Sequence, residues 1–83
     1  MKIYDEVIID FEIPKPIKTI IKELEKIYNE AKKYKEGSEE HILLECEFDN
    51  LICDLEITTK AYYRANKISV SQGNLLISKY EPY

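Results

Sequence analysis

Tryptophan is absent from this 83-residue chain, glycine occurs twice, cysteine twice, proline three times, and histidine and methionine once each. So little glycine and proline, beside 45% hydrophobic residues, excludes a fibrous or disordered composition and predicts a folded globule. A chain this short has room for one core, so a single domain is expected over residues 1–83. There is no excess of positive charge. Twelve Lys and Arg stand against sixteen Asp and Glu, a net charge of −4, which argues against nucleic acid or an anionic membrane as the main partner. No apolar run approaches the roughly 18 residues of a membrane span, and Asp5 and Glu6 stand where a signal peptide would turn apolar. A cytoplasmic location is the expectation, with Cys46 and Cys53 as buried free thiols and not as a disulfide framework. No P-loop, nucleophile elbow, metalloprotease helix or paired-cysteine motif is present. The sequence therefore names no reaction, cofactor or metal, and a non-enzymatic role is expected.

What is present is periodicity. Residues 3–13 alternate, with Val7, Ile9, Phe11 and Ile13 at odd positions and Glu6, Asp10 and Glu12 at even ones, the period of a half-buried strand. Pro14 and Pro16 end it. From Ile17 to Lys35 the apolar spacing changes to three and four through Ile17, Ile20, Ile21, Leu24, Ile27, Tyr28 and Ala31. That stripe predicts a helix ending near Gly37. Between Ile42 and Ile57 the period of two returns, and Asp49-Asn50 sits at its centre as a pair suited to a hairpin turn. That register faces Phe48 to Leu51, Cys46 to Cys53, Leu44 to Leu55 and Ile42 to Ile57, and puts His41 on the outer side.

The last third fits two readings. As strands, Ile68, Val70, Leu75 and Ile77 share one face around a Gly73-Asn74 turn, with a further turn at Ala65-Asn66. This gives the expected fold class: α+β, one long amphipathic helix on a mostly antiparallel five-stranded sheet, a β-α-β-β-β-β meander laid out like a cystatin. The cystatin likeness is one of layout alone and carries no inhibitory motif. As helices, residues 61–80 include the run Arg64-Ala65-Asn66-Lys67-Ile68-Ser69-Val70-Ser71-Gln72-Gly73-Asn74-Leu75, which resembles the helix-turn-helix of phage repressors. Ala65, a turn around Ser69-Val70-Ser71, and Leu75 fall at that family's spacings, although Ser69 replaces its usual turn glycine and Ser78 a core apolar residue. The resemblance implies a DNA-binding regulator.

Charge is distributed in blocks. Residues 1–14 carry a net −3, residues 15–35 +4, residues 36–56 −8 with no Lys or Arg, and residues 57–80 +4. On the expected sheet the acids Asp10, Glu12, Glu45, Glu47, Asp54 and Glu56 would share an outer face with exposed Leu43 and Ile52, a mixed apolar and anionic patch. Glu45 would oppose Asp54, a like-charge pair that could split its pKa values or hold a hard cation. The basic end would present Lys60, Tyr62, Arg64, Lys67 and Tyr80, a constellation able to stack single-stranded bases.

The acidic hairpin predicts a small protein-binding module that docks on a basic, nucleic-acid-binding surface of a protein partner. Phage anti-restriction and anti-CRISPR proteins and toxin immunity proteins form the analogous class of inhibitors. The alternatives are the DNA-binding regulator and a structural subunit that forms a homodimer through a sheet edge.

Overall fold

Pro14 caps the first helix of the computed structural model, which describes residues 1–81, and Pro16 lies in its first turn, where a missing N–H costs nothing. This helix, α1, runs Lys15–Ala31 and buries Ile17, Ile21, Leu24, Ile27 and Ala31, with Ile20 and Tyr28 half-buried beside them. The stripe is the one read from the sequence. Turn bonds from Lys33 and Tyr34 back to Glu30 and Ala31 close its end, and Gly37 at φ 88° reverses the chain in a conformation costly for a side chain.

The second helix, α2, spans Glu39–Arg64 and replaces the expected hairpin at 42–57. Ser38 caps it by accepting a hydrogen bond from the His41 N–H at 3.3 Å. Glu39 and Glu40 lie in its first turn and Arg64 in its last, each sign set against the opposite end of the helix dipole. It buries Phe48, Ile52, Leu55 and Thr59, spaced four, three and four, against α1 and the third helix. Its 26 residues correspond to about 39 Å at 1.5 Å per residue, which sets the 42 Å long axis of the molecule.

Asn66 ends the turn after α2 at φ 58°. Lys67 N–H donates to the Tyr62 carbonyl at 2.9 Å and Asn66 N–H to that of Tyr63 at 3.1 Å, a Schellman cap with asparagine in the left-handed position. The third helix, α3, covers Val70–Ser78 and opens on a reciprocal capping box. Ser69 Oγ accepts from the Gln72 N–H at 3.0 Å and Gln72 Oε1 accepts from the Ser69 N–H at 2.9 Å. Ile68, Leu76 and Tyr80 complete the core around Phe48, Ile17, Leu24 and Leu55.

The five-stranded α+β meander is therefore overturned: the chain is a three-helix fold. Its strand pairing among the described residues is a two-residue antiparallel contact of β1, Lys2–Ile3, with β2, Tyr80–Glu81. The expected first strand survives only as an irregular strap that begins with a turn at residues 5–7, closed by the Val7 N–H donating to the Tyr4 carbonyl at 3.1 Å. Ile9, Phe11 and Ile13 pack half-buried on the helices while Ile8, Asp10 and Glu12 face out, so the period of two is real but no strand among the described residues pairs with residues 4–13. The Lys79 side chain holds this strap, donating from Nζ to the carbonyls of Tyr4 at 3.0 Å and Val7 at 2.8 Å. The cystatin layout, both C-terminal hairpins and the dimer through a sheet edge fall with the sheet.

The last third is helical, yet not in the register of the repressor motif. The chain turns at residues 65–69, several residues earlier than that motif requires, so Ala65 is an exposed helix cap and Leu75 is 39% exposed and not a core residue. Gly73, expected at a turn tip, sits inside α3 where α3 meets α2.

Candidate interaction surface

Two faces of α2 run parallel along its length, and both carry apolar residues. Positions two apart on a helix lie about 200° around its axis, so the alternating run Ile42, Leu44, Cys46, Phe48 is dealt out to opposite sides. Leu44 and Phe48 turn to the core, and Ile42 and Cys46 turn to solvent. Ile42, Leu43 and Ile57 remain 49%, 59% and 69% exposed, an unusual cost for three large apolar side chains on one helix.

Beside this stripe stands a row of acids. Glu40, Glu47 and Asp54 recur every seven residues, so they project in nearly the same direction about 10.5 Å apart, and all three are exposed. Towards the end of the helix the outer face turns basic, with Lys60 and Arg64 exposed and Lys67 exposed in the turn beyond.

Of the residues singled out from the sequence, this face collects Leu43, Glu47 and Asp54. Ile52 is buried in the core at 6% exposure, because on a helix it falls one turn after Phe48 and not beside Leu43. Glu45 and Glu56 are half-buried at the edge of the inner face, and Asp10 and Glu12 belong to the strap. Glu45 and Asp54 are nine residues apart on one helix, hence about 13.5 Å along the axis and half a turn around it. The facing carboxylate pair does not form. His41 is half-buried at the start of α2, with Nδ1 2.8 Å from Glu45 Oε1, and not on the outer side of a strand. Cys46 and Cys53 are free and exposed, reversing their expected placement in the core, and seven residues of helix separate them too far for a disulfide.

The basic constellation is divided as well. Lys60, Arg64 and Lys67 are exposed and Tyr62 is half-buried, but Tyr80 is 4% exposed, so its ring is not available to stack a base. Burial first, and the charge of Glu25 second, push the Tyr80 hydroxyl up to about 12. Lys67 instead lines a cleft of about 540 Å³ with Lys15, Lys18 and Lys22 of α1, to which the strap contributes Glu12.

Among the described residues no group of acidic, histidine or cysteine side chains is placed to hold a metal ion, and no helix is long and apolar enough to cross a membrane. Sequence reading missed Ile42, Ile57 and Glu40 as surface residues. The spacing of seven between Glu40, Glu47 and Asp54 was the available signal. No known protein family, curated protein or solved structure matches the chain.

Proposed function

We propose that this protein is a small non-enzymatic protein-binding module whose contact surface is the exposed face of α2. The observation that supports this is the row Glu40, Glu47 and Asp54 running beside exposed Leu43 and Ile57 on a helix whose other side forms the core. Carboxylates at regular spacing favour a partner rich in Lys and Arg, while the apolar residues between them supply the desolvated contact that charge alone lacks. A basic surface that itself binds nucleic acid is the partner chemistry that such a row fits, and occupying it would make the module an inhibitor. Fixed on a helix, the row is pre-organised and loses little freedom on binding.

The test is affinity capture with the intact protein and with a double variant, Glu47→Lys with Asp54→Lys, whose helical circular dichroism is checked to be unchanged. Basic nucleic-acid-binding proteins retained by the parent at low salt and lost from the variant are the expected result. An identical set of captured proteins from both would overturn the reading. The contact should also weaken as salt is raised, because screening acts on exposed charges over a Debye length of about 8 to 10 Å.

A further inference from the structure

We propose that the apolar stripe on the outer face of α2 seats a second copy of this chain, packed antiparallel along the same helix. From Leu43 the spacings three and four alternate through Cys46, Asn50, Cys53, Ile57 and Lys60, and one further step reaches Arg64. That is the spacing of a coiled-coil seam, apolar at Leu43, Cys46, Cys53 and Ile57 and polar at Asn50 and at both ends, and counted back to Glu39 it runs the whole length of α2. Every position of it is exposed. The opposite face already packs on α1 and α3, so the repeat is surplus to the fold of one chain.

Charge selects the occupant and its direction. The seam begins at Glu39 and ends at Lys60 and Arg64, so one end is acidic and the other basic. A parallel pair would set Lys60 on the partner's Lys60 and Arg64 on the partner's Arg64, like charge on like. An antiparallel pair sets Glu39 against the partner's Arg64 and Leu43 against the partner's Lys60, whose methylene stem covers it. Cys46 then meets the partner's Ile57, and Asn50 the partner's Cys53. Each chain thus carries the complement of its own seam.

This inference rests on the preceding one for the acidic row, and it competes with it for Leu43 and Ile57, which the second copy covers, so a basic partner meets the pair through the carboxylates alone. In an antiparallel pair the positions flanking the seam on one side come from both helices, so Glu40, Glu47 and Asp54 of the two copies form one strip of six carboxylates. Glu47 of one copy lies near the partner's Asp54, which opposes association. The same crowding gives the dimer a stronger anionic surface than either monomer has.

Sedimentation of the purified protein across a wide range of concentration tests the proposal without any other partner present. The expected result is a monomer–dimer equilibrium that Ile57→Asp weakens by on the order of a hundredfold, since two apolar contacts are lost and two charges are buried, with the circular dichroism unchanged. Glu47→Lys should instead tighten the dimer, because it faces the partner's Asp54, while removing capture of basic proteins. The two readouts move in opposite directions, so failure of the dimer and failure of the binding function are told apart. Mild oxidation of Ile57→Cys should link the introduced thiol to Cys46 of the other copy. A monomer at all concentrations, a dimer indifferent to Ile57→Asp, or Cys46 linked mainly to Cys46 would overturn the proposal.

Discussion

A methyl group added to Gly73 would stand 2.5 Å from Cδ2 of the Tyr63 ring and 3.4 Å from Cγ2 of Thr59, so α3 approaches α2 more closely than any other residue at this position would allow. Alanine in place of a mid-helix glycine ordinarily stabilises by about 1 kcal/mol. Here overpacking opposes that gain and costs about 1 to 3 kcal/mol. Gly73→Ala should therefore lower stability in urea denaturation. In a Tyr63→Ala background the obstruction is gone and the same substitution should become stabilising, by up to about 1 kcal/mol. A loss of equal size in both backgrounds would show that the ring is not the cause.

Thr59 presents the reverse situation. It is fully buried, and its Oγ1 has no hydrogen-bond partner among the described residues. A buried hydroxyl without a partner costs about 1 to 3 kcal/mol of desolvation, which an isosteric methyl group does not incur. Thr59→Val should raise the melting temperature and stabilise the protein by about 1 kcal/mol, with helical content unchanged. Lower stability would show that the hydroxyl finds a partner in solution.

The Schellman cap at Asn66 makes a third prediction. At φ 58° a side chain with a branched or plain Cβ is strained by about 1 to 2 kcal/mol, while glycine is not. Asn66→Ala should destabilise by about 1 kcal/mol, and Asn66→Gly should be neutral or stabilising, measured as urea midpoints at equal slope. Equal effects of the two substitutions would contradict the left-handed cap.

How much of this was legible in the sequence depends on how many faces each helix commits to the core. In α1, a single apolar stripe with lysines around the rest gave an unambiguous period, and Ile17 to Ala31 appear where that period put them. In α2, apolar residues on both faces imitate a strand: Ile42 and Cys46 belong outside, Leu44 and Phe48 inside, and along the chain they alternate. The helix signals were there in Ser38-Glu39-Glu40 and in the lack of glycine at Asp49-Asn50, but a strand pattern with a polar pair at its centre outweighed them. The strap shows the converse, because extended chain laid on helices shares the period of a strand without its hydrogen bonds. Leu43, Glu47 and Asp54 were found as exposed by either reading, since residues turned away from the core stay exposed in both. Ile52 was lost because only helical spacing brings it under Phe48 and Leu55.

Lys79 ties the two ends of the chain together, since its backbone carbonyl accepts from the Tyr4 N–H at 2.8 Å while its ammonium reaches the carbonyls of Tyr4 and Val7. Hydrogen bonds from a charged donor contribute about 1.5 to 3 kcal/mol when buried, and half-burial reduces that. Lys79→Met, which keeps the stem, should cost about 1 to 3 kcal/mol. Amide exchange should rise more in residues 4–13 than in α1 or α2, because the strap has few other backbone partners. Uniform acceleration throughout would mean that Lys79 supports the core and not the strap.

Tyr80 gives the protein a dependence on alkaline pH. Folded, its hydroxyl holds a proton up to about 12, while in the unfolded chain the proton leaves near 10. Between those values the unfolded state binds fewer protons than the folded one, so stability is complete below pH 10 and declines as pH rises towards 12. The decline is driven by burial of a group that cannot ionise in place, with Glu25 adding to the penalty. Tyr80→Phe keeps the packing and removes the titration, so its stability should fall less steeply than that of the parent over this interval. Ultraviolet titration of the folded parent should also show tyrosine ionisation at about pH 12 that Tyr80→Phe removes. Parallel stability curves for parent and Tyr80→Phe would mean that the Tyr80 hydroxyl is solvated in the folded protein.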